Sequence, residues 1–402
     1  MNEANTLVAS YCFPPYNDAS GIVASKRVRV EGVPVDVICN AMDSLRSKDP
    51  SLARVSGHLV RRLAALRTPS AFSSWRSIAE FSVAGLATAQ RWVRIQGSYE
   101  HLYSRAQFAA SHFLAARIKR AFPDIRWKAE FSDPLSHDVL GQPRTTPMDE
   151  ASPLIPEYRA MIEGAGFTAP SEFNGLAWCE QLVYSMADEI IFTNVHQRDF
   201  MLSVIDESAL RERVAGIAVV APHPTLPREY YGQIPSEYTV DDDVVNIGYF
   251  GNFYANRGVD TVLDQLAVLP RAMRDHLVLH IFTSNASMVN LRRSVEQRRL
   301  ESAVRINPYV PFLEHLTLAD RMDVLLVNDA QSPKGGVNPF LPSKISDYQG
   351  SVTPIWGILE EGSPMDALGA DRIRYRSPIG HASSIRQQLA TFATMAMRGE
   401  QP

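Results

Sequence analysis

Short apolar runs alternate with helix-like stretches along this chain, and the alternation occurs in two successive trains. In the first train, "NTLVASYCF" (5–13) reads as a buried strand, a helix-like run covers 22–31, and "GVPVDVICN" (32–40) is a second strand. Strand, helix, strand in that order favours parallel pairing with helices on both faces of a sheet. Residues 51–95 read as helix-rich, with Arg61, Arg62 and Arg67 near Leu59, Leu63 and Leu66. Further strands are expected at 99–106, 125–134, 188–194 and 215–224, with helices over 107–122 and about 172–187. The 107–122 stretch has apolar residues at helical spacing.

A polar stretch, "PSEYTVDDDV" (235–244), interrupts the pattern and reads as an interdomain linker. The alternation then restarts. Strands are expected at 244–253, 277–284, 304–310, 323–329 and 353–358, with helices at 258–268, about 287–299 and near 312–320. The expected organisation is an N-terminal Rossmann-like domain (1–238), a second one (239–382), and a C-terminal helix (383–402) that packs back on the first. Ligands of such sheets bind beyond the carboxyl ends of the strands, so two facing domains are expected to form a cleft there.

Bulk properties agree with a folded two-domain protein. The chain has 402 residues, 45% hydrophobic and 21% charged. Its formal net charge of −4 argues against a nucleic-acid binder. The charge is uneven: residues 26–128 hold 18 Lys and Arg against 7 Asp and Glu, whereas 129–240 hold 6 against 17. That asymmetry reads either as a mosaic surface or as a basic face for an anionic acceptor or for lipid headgroups at a membrane surface. Three scattered cysteines, Cys12, Cys39 and Cys179, carry no zinc spacing and fit a reduced, cytoplasmic compartment. No signal peptide and no membrane span is expected.

Candidate chemistry collects just after strands. In "NPFLPSKISDYQG" (338–350) a helix is expected over about 341–349, with Leu341, Ile345 and Tyr348 on its core face. Its free amides and positive end would attract a phosphate, Ser343 and Lys344 sit beside them, and Asp347 would accept hydrogen bonds from vicinal ribose hydroxyls. In "GYFGNFYANRGVD" (248–260), Gly251 lets a ligand approach the backbone and Arg257 would fork onto a diphosphate. Ser20-Gly21 occupies the first strand-to-helix loop. Arg105, Glu130 and Asp133 fall at or beyond strand ends, and His112 lies on the following helix. Neither a GxSxG elbow nor an HExxH metal motif occurs.

On these motifs the chain resembles GT-B fold glycosyltransferases of the family-4-like kind, most closely over 244–358. The "LPSKISDY" run looks like a variant found among bacterial polysaccharide glycosyltransferases, and "RWKAEFSDP" looks like their strand ending in Asp-Pro. The resemblance implies an α/β GT-B fold and transfer of a sugar from a nucleotide-diphosphate sugar, with retention, to a glycan or lipid-linked acceptor. It places Gly21, Gly251, Asn252, Arg257, Ser343, Lys344 and Asp347 at the donor. Arg257, Lys344, Asp133 and Arg105 are the candidates for the reacting groups, and His112 and Glu130, read from their place at and after strand ends, are the candidates for the acceptor side. The first of the family's two glutamates falls at Pro339, with Asn338 the nearest polar group. The family's histidine falls at Arg105. No metal or other cofactor is expected. The rivals are a sugar-nucleotide 2-epimerase and a nucleotide-sugar-binding subunit without activity.

Overall fold

The computed structural model describes residues 4–138, 141–253, 258–332, 336 and 338–402. The chain divides into two contiguous compact units, 1–224 and 225–402. Among the described residues, the first unit contains a seven-stranded sheet built from β1 (Thr6–Ala9), β2 (Val35–Asn40), β3 (Val60–Leu66), β4 (His101–Ala106), β5 (Arg126–Phe131), β6 (Glu189–Phe192) and β7 (Ala218–Val220). Its order is β3-β2-β1-β4-β5-β6-β7, and each pairing is parallel. The second unit contains β8 (Val245–Phe250), β9 (Leu277–Thr283), β10 (Val304–Pro308), β11 (Val324–Asn328), β12 (Ile355–Leu359) and β13 (Tyr375–Pro378), ordered β10-β9-β8-β11-β12-β13. These pairings are parallel too.

Both sheets therefore start in the middle, wind outward in one direction, then return to wind in the other. The order reverses between β1 and β4 in the first sheet and between β8 and β11 in the second. Ligands of such sheets bind at that switch point, beyond the carboxyl ends of the strands.

The apolar runs explain the cores. Strands β2, β8, β9, β11 and β12 are buried along their whole length, as strands covered on both faces must be. In the first unit one face of the sheet packs under helices Trp75–Gln96, Ala110–Ala121 and Gly175–Met186, around Phe113, Trp127, Tyr158 and Trp178. The other face packs Val8, Val37, Cys39 and Tyr103 under helix Ala19–Glu31.

Three expectations are corrected. The stretch read as helical around Arg61 and Arg62 is the edge strand β3, paired with β2. Its alanines and arginines favour helix locally, and pairing with a buried neighbour overrides that preference. The final helix, Ala382–Met397, packs Ile385, Leu389 and Phe392 into the core of the second unit, to which it belongs. The expected linker belongs to the second unit as well. Thr317 donates to the Ile234 carbonyl at 2.7 Å, Ser236 to Glu314 at 2.6 Å, and the Tyr238 hydroxyl meets His280 Nδ1 at 2.7 Å. The boundary between the units thus falls after Pro224, ahead of the expected 238.

Candidate functional site

At the switch point of the second sheet, β8 ends in Phe250 and the chain turns at Gly251, whose φ is +148°. A side chain there would be strained, and its Cβ would lie 2.6 Å from the Lys344 ammonium nitrogen. Gly251 is therefore the vacancy into which Lys344 reaches. The ammonium is withdrawn from solvent and sits 3.8 Å from the centre of the Tyr249 ring, whose negative face attracts it. Tyr249 is held in turn by stacking on Phe253, at 4.9 Å, and by donating from its hydroxyl to the Asn252 carbonyl at 3.1 Å.

Local folding puts Lys344 there. The helix expected over 341–349 is a single turn, Ile345–Tyr348. Pro342 has no N–H, and the amides of Ile345, Ser346 and Asp347 close tight bonds to the carbonyls three residues back. One turn sums too few peptide dipoles to act on a phosphate, so the expected helix-dipole contribution is not available here. The turn is pinned at both ends of its core face. Ile345 and Tyr348 are buried as expected, and the Tyr348 hydroxyl accepts the Phe250 N–H at 3.1 Å. That bond fastens the Lys344 segment to the end of β8. On the other side the Tyr231 hydroxyl donates to the Asp347 carbonyl. Asp347 is half-buried, and Ser343 is exposed.

The loop after β8 is tied to its neighbours. The Asn252 side chain accepts from Thr283 Oγ1 at 3.5 Å and from the Ser284 amide at 3.4 Å, both at the limit of a hydrogen bond. Asn328, the last residue of β11, donates from Nδ2 to the Gly258 carbonyl at 2.8 Å. Asn338 is a staple: it donates to Asp329 at 2.9 Å and to the Ala330 carbonyl at 3.1 Å, and accepts from the Phe340 amide at 2.9 Å. Arg257 lies outside the described residues. Gly251, Asn252, Ser343, Lys344 and Asp347 all belong to this unit, and the structure brings Gly251 and Lys344 into contact.

The first unit is built differently at its strand ends. Arg105, next to last in β4, is 2% exposed. It donates to Ser132 Oγ at 2.6 Å and to His223 Nε2 at 3.1 Å, and its Nε lies 3.8 Å from Glu130. Glu130 also accepts from Arg27 Nε at 3.0 Å and from the Tyr103 hydroxyl at 2.8 Å. Arg27, from helix Ala19–Glu31, further donates to the Pro222 carbonyl at 3.2 Å. Two guanidiniums thus enclose one buried carboxylate. Burial pulls His223 well below the ordinary imidazole value, and the Arg105, Lys26 and Arg27 charges add to that. With Arg105 donating to Nε2, neutral His223 carries its proton on Nδ1.

This geometry corrects several expectations. Glu130 is fully buried and saturated by its partners, so it faces no acceptor. His112 is a core residue. It is fully buried, bonded to Ser104 at 2.8 Å, edge-on to Phe131, and pulled down to about 3 mainly by burial. Gly21 owes its identity to packing: a Cβ would lie 3.1 Å from the Cys12 carbonyl oxygen, and the Gly21 and Ser20 amides are capped by Asp18. Asp133 is half-buried just past β5. A cavity of about 290 Å³ lies on this unit, walled by Val8, Val28, Val35 and Tyr103. It opens at the amino ends of the strands, away from the switch point.

Sequence reasoning missed Asn328, His223 and Tyr249. The signal for the first two was a polar residue closing an apolar strand ("VLLVN") and a histidine between prolines after a strand ("APHP").

Neither a protein-family model nor a curated protein sequence matches the chain. Solved structures do. HepE of Anabaena, in complex with UDP and glucose, superposes with a TM-score of 0.60 at 11% identity, over 98% of this chain and 93% of that one. Sucrose-phosphate synthase of Thermosynechococcus elongatus gives 0.61 at 14% identity, over 98% and 92%. A UDP-N-acetylglucosamine 2-epimerase gives 0.53 at 8% identity, over 100% and 92%.

The chain has the GT-B fold.

In the GT-B frame the two units are the two Rossmann-like domains, and the Gly251–Lys344 contact lies at the switch point of the second. Among the described residues no helix is long and apolar enough to cross a membrane, and no group of three or more His, Cys, Asp or Glu is arranged to hold a metal ion.

Proposed function

We propose that this protein is a glycosyltransferase of the family-4-like kind, moving a sugar from a nucleotide-diphosphate sugar to an acceptor hydroxyl. The observation that carries the reading is the Lys344 ammonium seated against side-chain-free Gly251 at the carboxyl end of β8. A diphosphate laid along the Gly251 backbone meets a cation withdrawn from water, where its charge acts at low dielectric. The HepE complexes, which hold UDP, UDP-glucose, or UDP and glucose, share the fold and support the choice of ligand class.

In the reaction the bond between the anomeric carbon and the diphosphate oxygen breaks, and its electron pair leaves with the phosphate. The acceptor hydroxyl oxygen bonds to the anomeric carbon, and its proton passes to the leaving phosphate. The configuration is retained when both events occur on one face of the sugar. Charge grows on the leaving phosphate, and Lys344 stabilises it, a contribution on the order of 3 kcal/mol for one preorganised group. Asp347 clasps the ribose hydroxyls, and Ser343 and Asn252 line the donor. Neutralisation by the ammonium needs no metal ion. The acceptor is a glycan or a lipid-linked glycan precursor presented at the cytoplasmic membrane face.

The test is a thermal-shift screen of UDP, GDP, ADP, TDP and CDP. A true ligand at about 100 times its Kd adds roughly 2.7 kcal/mol of stability, and Asp347→Ala removes the shift while leaving the unliganded melting temperature unchanged. The absence of any shift overturns the reading. Incubating the protein with a UDP-sugar and no acceptor separates the 2-epimerase alternative, which alone yields an epimer.

A further inference from the structure

Asn328 closes β11, is 6% exposed, and has one half of its amide committed. The Gly258 carbonyl can only accept, so the group facing it at 2.8 Å must be Nδ2. That bond fixes the amide and turns Oδ1 the other way. Oδ1 is buried and has no hydrogen-bond partner in the protein. A buried acceptor left without a partner is costly, about 1–3 kcal/mol, and such atoms are few in folded proteins.

Its position is specific. β11 runs parallel to β8 with Leu325 opposite Gly248. Continuing that register three residues brings Asn328 level with Gly251, across the switch point from the backbone against which Lys344 sits. Leu326 packs in the same cluster as Tyr249, and Asn328 follows it by two residues on that face.

We propose that Asn328 Oδ1 accepts a hydrogen bond from a hydroxyl of the transferred sugar. The choice follows from donor chemistry and rests on the nucleotide-sugar reading above. A diphosphate at neutral pH offers no N–H or O–H, so a fixed acceptor repels it. Beside the phosphate site, the hydroxyl-rich part of the substrate is the hexose. Asn328 is thus a specificity-determining residue: it rewards a hydroxyl at one ring position and penalises its absence.

The experiment takes the nucleoside diphosphate that binds best among UDP, GDP, ADP, TDP and CDP. It measures affinity for that nucleotide and for its glucose ester in wild type and Asn328→Ala. The expected result is about a tenfold loss of the glucose ester, the size of one hydrogen bond, with the bare nucleotide within twofold. Deoxy analogues at each ring position complete the cycle. One position should cost wild type about tenfold and cost Asn328→Ala nothing. Equal losses for nucleotide and ester would mean a scaffold or ribose role and overturn the proposal, as would an additive cycle. Should Asn328→Ala not fold, Asn328→Ser carries the same comparison. Wild type that binds none of the nucleotides overturns the function itself, a failure distinct from both.

Discussion

At the carboxyl end of β4, Arg105 is enclosed by Ser132, His223 and Glu130, and Arg27 reaches the same carboxylate from a helix. At the carboxyl end of β8, Gly251 has no side chain, and a lysine from another segment lies over an aromatic ring in the space left. The two sheets share the same central strand order, so the difference is one of side chains and not of architecture. Charge that is saturated within the protein holds strands and helices together. At β8 the charge lies over an aromatic ring and beside side-chain-free backbone, the arrangement on which the proposed diphosphate site rests.

The sharpest way to break that comparison is to exchange the consequences. Glu130→Ala leaves two guanidiniums buried together and should cost on the order of 3–5 kcal/mol of stability; chemical denaturation measures it. Lys344→Ala should change stability little and lower kcat about 100-fold, as loss of one preorganised charge does. Steady-state kinetics beside a melting curve checks both halves, and a large stability loss for Lys344→Ala would place it with the structural group.

Gly251→Ala tests the vacancy itself. The positive φ and the displaced ammonium should lower kcat/KM about tenfold, with roughly 1 kcal/mol of stability lost to backbone strain. The pH dependence separates the units more gently. His112, held at about 3, and His223, held well below normal, lie in the first unit, and His280, at about 4, lies in the second. Below the ordinary imidazole value the unfolded chain binds protons that the folded chain refuses. Stability is unaffected above about pH 6.5 and falls as pH drops toward the folded values, by about 1.4 kcal/mol per pH unit for each such histidine. The first unit should therefore lose stability more steeply between pH 6 and pH 4.5, and His112→Phe should flatten its slope. The smallest expected effect is that of EDTA on transfer, which should be nil.

Much of the fold was readable because buried parallel strands are near-continuous apolar runs, and those of both trains stand out. β3 was not, since an edge strand of alanine and arginine has the composition of a helix and only its partner makes it a strand. Helices Leu154–Gly164, Val195–Ser203 and Ser208–Ile217 went unread because each is short, between nine and eleven residues. At the site, Gly251 was legible as a glycine just after a strand, and Lys344 as a lysine at the start of a short helical turn. Gly21 was legible as a constrained glycine but not for its cause, because backbone crowding and ligand approach demand the same residue. Asn328 and His223 left only a weak trace, a polar residue closing an apolar strand and a histidine between prolines, because each makes its defining bond, to the Gly258 carbonyl and to Arg105, across the fold.

The final helix lies against the core of its own half, and the chain crosses from one half to the other once, after Pro224. Each half is thus an unbroken length of polypeptide. Recombination at that joint would exchange one whole sheet with its helices in a single event and leave the other unit's sequence untouched. A chain with such a seam can change one half while the other keeps its own core and strand order.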